Sequence, residues 1–205
     1  MKKDQKNKVS QYYICLQQEL RKNPRDVAVL IQIGALEFEY FHHHEIAIDY
    51  LQRAIELDPK NIDAHFWLAA CLYHDFCDYE RARQMLEKAL QLDPARADCL
   101  SLLASISWHS GEPLINAINY LRKAIKFAPD WPLLRHKLAT LLLELNQIEQ
   151  AEQQIRDALA LARPLPRQTQ NEVEYYYENV VTGRAWSDVK NEFKELLKRI
   201  ESQRK

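Results

Sequence analysis

Ala54-Ile-Glu-Leu-Asp-Pro59 returns thirty-five residues later as Ala89-Leu-Gln-Leu-Asp-Pro94. The prolines that close these two tails belong to a series, Pro24, Pro59, Pro94, Pro129 and Pro164, with the same spacing throughout. Proline lacks a backbone N–H and its ring clashes with the preceding turn, so it marks the seam between one helix and the next. Seams at a fixed interval mean one supersecondary unit copied along the chain.

Each interval divides into two helical patterns, A and then B. Helix B carries Ala47-Leu51-Ala54, Ala82-Leu86-Ala89, Ala117-Leu121-Ala124 and Ala151-Ile155-Ala158 at helical spacing. Helix A carries an apolar residue followed by a small one: Ile33-Gly34, Leu68-Ala69, Leu103-Ala104 and Leu138-Ala139. A small residue on A facing the first alanine of B lets the two backbones approach closely, and the larger residues interdigitate with the next unit. This pattern resembles the tetratricopeptide repeat, in four units at about 27–61, 62–96, 97–131 and 132–165. The resemblance implies an all-α, right-handed superhelical solenoid of helix-turn-helix units. The usual repeat is about 34 residues long, so the first three units are expected to hold an extra residue in the A–B turn, and the fourth near Arg163. The pentatricopeptide repeat competes on period alone. The alanine pattern, the Leu-Asp-Pro endings and the lack of a basic groove argue against it.

Four departures from the pattern, His65, Arg135, Glu37 and Ser107, are expected to loosen packing locally. Asp78 is expected to cap the second B helix, Pro113 to take the first helical position of the third, and Asn146 with Glu149 to open the fourth. The domain reading is a disordered lead over 1–8, a leading helix over 9–23 capped by Ser10, and four units over 24–165. A divergent hairpin with an amphipathic C-terminal capping helix then covers 166–205. The hairpin's first helix is expected at about 168–182, with Tyr175-Tyr176-Tyr177 on it and Gly183 at its end. The last helix follows Trp186 and Ser187, with Val189, Phe193, Leu196, Leu197 and Ile200 on one face. A solenoid needs its terminal apolar face covered, which is the role expected of that helix. Docking of a partner or self-association is the alternative.

Hydrophobic residues make up 47% of the chain and the net charge is −1, so the whole molecule has no field to gather nucleic acid. Residues 1–8 and 184–205 each carry a net charge of +3, which leaves −7 on the body between them. Cys15, Cys71, Cys77 and Cys99 form no C-x-x-C pair; Cys71 and Cys99 fall in apolar runs, as reduced, buried thiols do. These features, with neither an apolar signal segment nor an apolar run of membrane-spanning length, give the expectation of a cytoplasmic protein.

In tetratricopeptide arrays the A helices line the concave face. Carried onto this chain, that face holds an apolar rail of Phe38, Tyr73, Trp108 and Leu143, and a polar rail of Glu39, His74, His109 and Glu144. One turn earlier stand Ala35, Ala70, Ser105 and Thr140, preceded by Ile31, Phe66, Ser101 and His136. Such a surface suits an extended or helical apolar peptide anchored by aromatic burial. Periodicity alone does not distinguish an open groove from packing against the neighbouring A helix. By resemblance, bacterial secretion chaperones with a leading helix and an apolar concave face are a concrete version.

The clamp that holds the acidic C-terminus of heat-shock chaperones is excluded. Its slots here contain Ile31, Ala35, Trp67, Asp98 and Leu102, which offer a carboxylate no cation. The His42-His43-His44 run lacks the spacing for a metal and reads as a solvated turn. No nucleophile motif or Gly-rich phosphate loop is present, so the chain reads as a non-enzymatic scaffold without metal or cofactor. The function expected is protein–protein interaction through a groove-bound peptide. The alternative is an assembly adaptor using the convex face or the C-terminal helix.

Overall fold

The computed structural model describes residues 3–161 and 186–203 of the 205-residue chain. Pro164, the helix expected at 168–182 and Gly183 lie outside the described residues. The chain divides into two compact units, Met1–Pro94 and Ala95–Lys205. The first contains α1 (Lys3–Lys22), α2 (Val27–Leu36), a π-helical turn at Glu37–Phe41, α3 (His44–Leu57), α4 (Ile62–Phe76) and α5 (Tyr79–Leu92). The second contains α6 (Ala97–His109), α7 (Leu114–Phe127), α8 (Pro132–Glu144), α9 (Ile148–Leu161) and α10 (Trp186–Gln203). Among the described residues there is no strand.

Helices pair as antiparallel hairpins, α2 with α3, α4 with α5, α6 with α7 and α8 with α9. Their contact is the small-residue slot read from the sequence. Ala47, Ala82, Ala117 and Ala151 are completely buried, as are Ala69 and Ala139 across from them. At Gly34 the approach is tightest. A Cβ there would stand 2.8 Å from Leu51 Cγ and 3.3 Å from the Ala47 carbonyl oxygen.

Helix starts follow side-chain capping in three places. Asp26, Asn61 and Asp78 accept the N–H of Val29, Ala64 and Arg81 at 3.2, 3.1 and 3.1 Å, satisfying donors the helix leaves open. Two expected starts are corrected. Pro113 takes the capping position rather than the first helical one, since α7 begins at Leu114. Asn146 does not open α9; it has φ +56° and ends α8. The Asn146 N–H donates to Leu143 O (2.9 Å) and the Gln147 N–H to Leu142 O (2.8 Å), the paired bonds of a Schellman turn.

The surplus residue is absorbed in two ways. In the first two units it widens the end of helix A. The His43 N–H reaches back six residues to Glu37 O, and the Asp78 N–H six residues to Leu72 O. His42 (φ +57°) and Cys77 (φ +49°) turn the chain there. In the third unit helix A ends in a Schellman turn at Gly111 (φ +79°), with the Glu112 N–H on Ser107 O. The extra residue follows as Pro113.

Helix α1 starts at Lys3, so Ser10, expected as its cap, lies inside it, and residues 3–8 belong to its first turns. Val9 and Leu16 are buried where α1 packs on α2. The four departures noted above take the following places. Buried Glu37 accepts from Tyr13 of α1 and from His43 Nδ1 at 2.8 Å. Buried His65 donates from Nε2 to Pro59 O (2.9 Å), and Arg135 donates to Gln154 (3.1 Å). Ser107 is wholly buried.

At the other end α10 packs on α9. Phe193, fully buried, joins Ala158 with Leu133 and Leu159, and its ring stacks on His136 at 4.8 Å. Arg156 bridges to Glu201 of α10 at 3.3 Å. These contacts join α10 to both helices of the fourth hairpin.

Gly34→Ala tests the tight slot. Alanine improves helix propensity by about 1 kcal/mol, but overpacking in a fixed core costs about 1–3 kcal/mol. The urea midpoint is expected to fall with the slope unchanged; a raised midpoint would mean that the slot has room.

Candidate functional site

In the first unit the site is built on α2, its π-helical turn and α4. The wider turn carries Phe38 and Glu39, and wide turns of this kind re-aim side chains relative to an α-helix. Phe38 is half-buried. Its ring meets Trp67 at 6.4 Å and His74 at 5.8 Å on α4, and His44 at 5.6 Å on α3. Tyr73 instead leans on its neighbour His74 (4.5 Å) and on Tyr79 of its own hairpin (5.9 Å). Phe66 sets its ring against Trp67 at 5.2 Å and 73°. Ile31, Ala35 and Ala70 of the expected groove are buried. Glu39 is half-buried, and its Oε2 is enclosed without a hydrogen-bond donor. Burial pushes its pKa up to about 8, because nothing compensates the lost hydration of the charged form.

In the second unit the site spans α6 and α8. The Trp108 indole Nε1 donates to Glu144 Oε2 at 3.2 Å, so the apolar rail and the polar rail are tied together here. His109 stacks on Trp108 (5.0 Å) and donates from Nδ1 to Ser105 O at 2.9 Å. Lys137 Nζ donates to Ser101 Oγ at 3.1 Å and to Ser105 Oγ at 3.3 Å. Lys137 is solvent-exposed, yet enough protein surrounds its ammonium to lower its pKa by desolvation. Thr140 turns its hydroxyl onto His136 O (3.1 Å), while Leu143 is half-buried. The half-buried His136 ring stacks on Phe193 of α10 at 4.8 Å.

These contacts reveal a further register, Gln32, Trp67, Leu102 and Lys137, again at the full period. Gln32 accepts from Tyr12 of α1 at 2.7 Å, Trp67 meets Phe38 of the π-helical turn that follows α2, and Lys137 meets Ser101 and Ser105 of α6. In each of these cases the residue reaches back to the helix of the preceding segment. The signal was present as a periodic column, but its mixed chemistry hid the shared role.

The slots of the acidic-peptide clamp offer no free cation. Ile31, Ala35 and Leu102 are buried, and Asp98 is held by Arg96 through bonds of 3.0 and 2.6 Å. His42 is exposed at the turn, His43 is bonded to Glu37, and His44 begins α3. Among the described residues no three His, Cys, Asp or Glu side chains gather as a metal site requires, and no helix is long and apolar enough to cross a membrane. Elsewhere in the first unit, Ile55, Pro59, His65, Lys88, Gln91 and Leu92 line an open cavity of about 340 Å³ at the ends of the B helices.

A tetratricopeptide-repeat family model matches residues 50–84. No curated protein sequence matches the chain. Solved structures do. PilF of Pseudomonas aeruginosa is 19% identical, with a TM-score of 0.68 over 97% of this chain and 84% of that one. TTC0263, a thermophilic protein of Thermus thermophilus with this repeat, is 20% identical, with a TM-score of 0.67 over 82% and 89%. YrrB, described as a repeat protein of this class with an unusual peptide-binding site, is 18% identical, with a TM-score of 0.58 over 90% of each chain. These likenesses establish the fold as an all-α solenoid of tetratricopeptide hairpins.

Glu39 gives the first unit a measurable pH response. Its pKa is about 8 in the folded chain against 4.5 for an ordinary glutamate. Between those values the folded state holds a proton that the unfolded state lacks, so this contribution to stability falls as pH rises and is lost above about 8. Glu39→Gln removes it. The urea midpoint of the variant is expected to exceed that of the parent by a margin that grows from pH 5 to pH 9. A constant margin would place the carboxyl in water.

Proposed function

We propose that this tetratricopeptide-repeat chain is a non-enzymatic protein-interaction scaffold, holding a segment of a partner protein along its A-helix faces. One observation carries the reading: half-buried aromatic rings, Phe38 with Trp67 and then Trp108, stand between successive A helices beside polar groups of both charges. Large rings at partial exposure are the anchors that dominate binding energy in protein interfaces. Hydroxyls and the Lys137 ammonium next to Trp108 can fix the orientation of a backbone laid across them. The peptide-binding description of YrrB supports the same use of the fold. A chaperone-like role, shielding an apolar segment of a client, is the specific form this reading takes.

The adaptor reading has its own support. Leu92 and Phe127, which close successive B helices in register, are exposed, and Leu92 borders the cavity that includes Ile55 and Lys88. A partner seated there would leave the A-helix rings untouched.

Paired variants separate the two. Trp67→Ala with Trp108→Ala is expected to weaken partner capture by roughly 30-fold or more, the scale of losing an aromatic anchor worth about 2 kcal/mol, while the helical circular dichroism stays. Leu92→Asp is expected to leave capture intact. The opposite pattern would transfer the function to the B-helix surface.

A further inference from the structure

Side chains of α6 and α8 meet at two points, and α8 brings a charge of opposite sign to each. At one, the Lys137 ammonium donates to Ser101 Oγ (3.1 Å) and Ser105 Oγ (3.3 Å). At the other, Glu144 Oε2 accepts from Trp108 Nε1 at 3.2 Å. Neither charge is matched. Arg96, Arg135 and Arg156 of this unit each lie beside a carboxylate, at 2.6, 3.6 and 2.7 Å. Among the described residues Lys137 has no such carboxylate and Glu144 no such cation. Both side chains are exposed, so an arriving group can reach them. Both also keep bonding capacity. An ammonium has three N–H donors, of which Lys137 uses two, and a carboxylate has about four acceptor sites, of which Glu144 uses one. Desolvation lowers the Lys137 pKa, a cost that an opposed anion offsets.

The spacing of the two charges selects the shape of what can meet both. Lys137 and Glu144 are two helical turns apart on α8, which places them on one face with a rise on the order of 10 Å between them. Ser101 and Trp108 repeat that interval on α6. A third helix laid alongside matches it with its own residues i and i+7. An extended segment does not, because about three residues of strand cover that distance and an odd step along a strand changes face. Half-buried Trp108 and Leu143 supply apolar area beside the charges.

We propose that the A-helix surface over α6 and α8 takes an amphipathic helix of the partner, with an acidic side chain on Lys137 and a basic one, seven residues away, on Glu144. This inference rests on the scaffold reading above and adds the conformation and charge pattern of the bound segment. Helix-in-groove recognition reads anchors at helical spacing. Here the opposite charges at its two ends also select against segments that carry the same sign at both positions.

The test uses the full chain and a stapled alanine–leucine helix of about fifteen residues, carrying one glutamate and, seven positions later, one lysine. Companion probes replace the glutamate, the lysine or both with glutamine, and titration calorimetry gives each affinity. The doubly charged probe is expected to bind about tenfold tighter than the neutral one, by a margin that shrinks as salt is raised. Lys137→Gln should erase the benefit of the probe's glutamate and keep that of its lysine. Glu144→Gln should do the reverse, and circular dichroism checks that both variants stay helical. Moving the probe's lysine to the fifth position after the glutamate turns it to the far side of the helix and should remove its benefit. Equal affinity of all the probes, binding of none, a charge benefit that survives both variants, or indifference to the moved lysine would each overturn the inference. Partner capture that is sensitive to Trp108→Ala but indifferent to Lys137→Gln and Glu144→Gln would sink this inference alone. Capture indifferent to Trp67→Ala with Trp108→Ala as well would sink the scaffold reading beneath it.

Discussion

Close approach of two helix backbones at a small residue is the contact on which every other feature depends. Gly34 stands so close to Ala47 and Leu51 that a Cβ would clash, and Ala69 and Ala139, at the corresponding positions of later units, are completely buried. Because interiors are packed to crystal-like density, a fixed crossing fixes where the remaining residues of both helices lie. Leu51, Leu86, Leu121 and Ile155 are buried as a consequence. Unlike a single domain core, such an array buries each apolar face against its neighbour, which leaves its two ends to be closed separately. Helix α1 packs on α2 with the Tyr13–Glu37 bond between the first two segments, and α10 packs on α9 with Phe193 buried.

The surplus residue of each repeat is a second constraint, with consequences for the site. Placing it inside the end of helix A, as the first two units do, widens the turn and changes where the side chains after Glu37 point. Phe38, in that turn, meets Trp67 and His74. Placing it after the helix, as the third unit does with Pro113, leaves α6 regular. Trp108 and Ser105 then keep their spacing and face Glu144 and Lys137. One insertion in the sequence thus yields two local surfaces.

The fold was legible because its determinants are local and repeated. Proline seams, the alanine slot and the Asp78 cap each state a steric or hydrogen-bonding need that neighbouring residues satisfy. The site was less legible. Helical periodicity assigns a residue to a face but not to a partner, so Trp67 and Lys137 went unrecognised as the residues that bridge successive segments. A π-helical turn carries no period of its own, which hid the re-aiming of Phe38. Asn146 looked like a cap because Asn serves both at helix starts and in left-handed stops, and the choice depends on backbone geometry. The stacking of His136 on Phe193, fifty-seven residues away in sequence, lay beyond the reach of any local pattern. Buried Glu37 misled for a related reason, since its partner Tyr13 lies on the leading helix.

The central claim is that a partner lies across the A-helix rings. Site-specific photo-crosslinking tests it most directly, with a benzoyl-phenylalanine replacing Trp67 in one protein and Leu92 in another, each irradiated in the cells that make the chain. The account predicts a discrete crosslinked partner from position 67 and none from position 92. Crosslinks from position 92 with none from position 67 would contradict it.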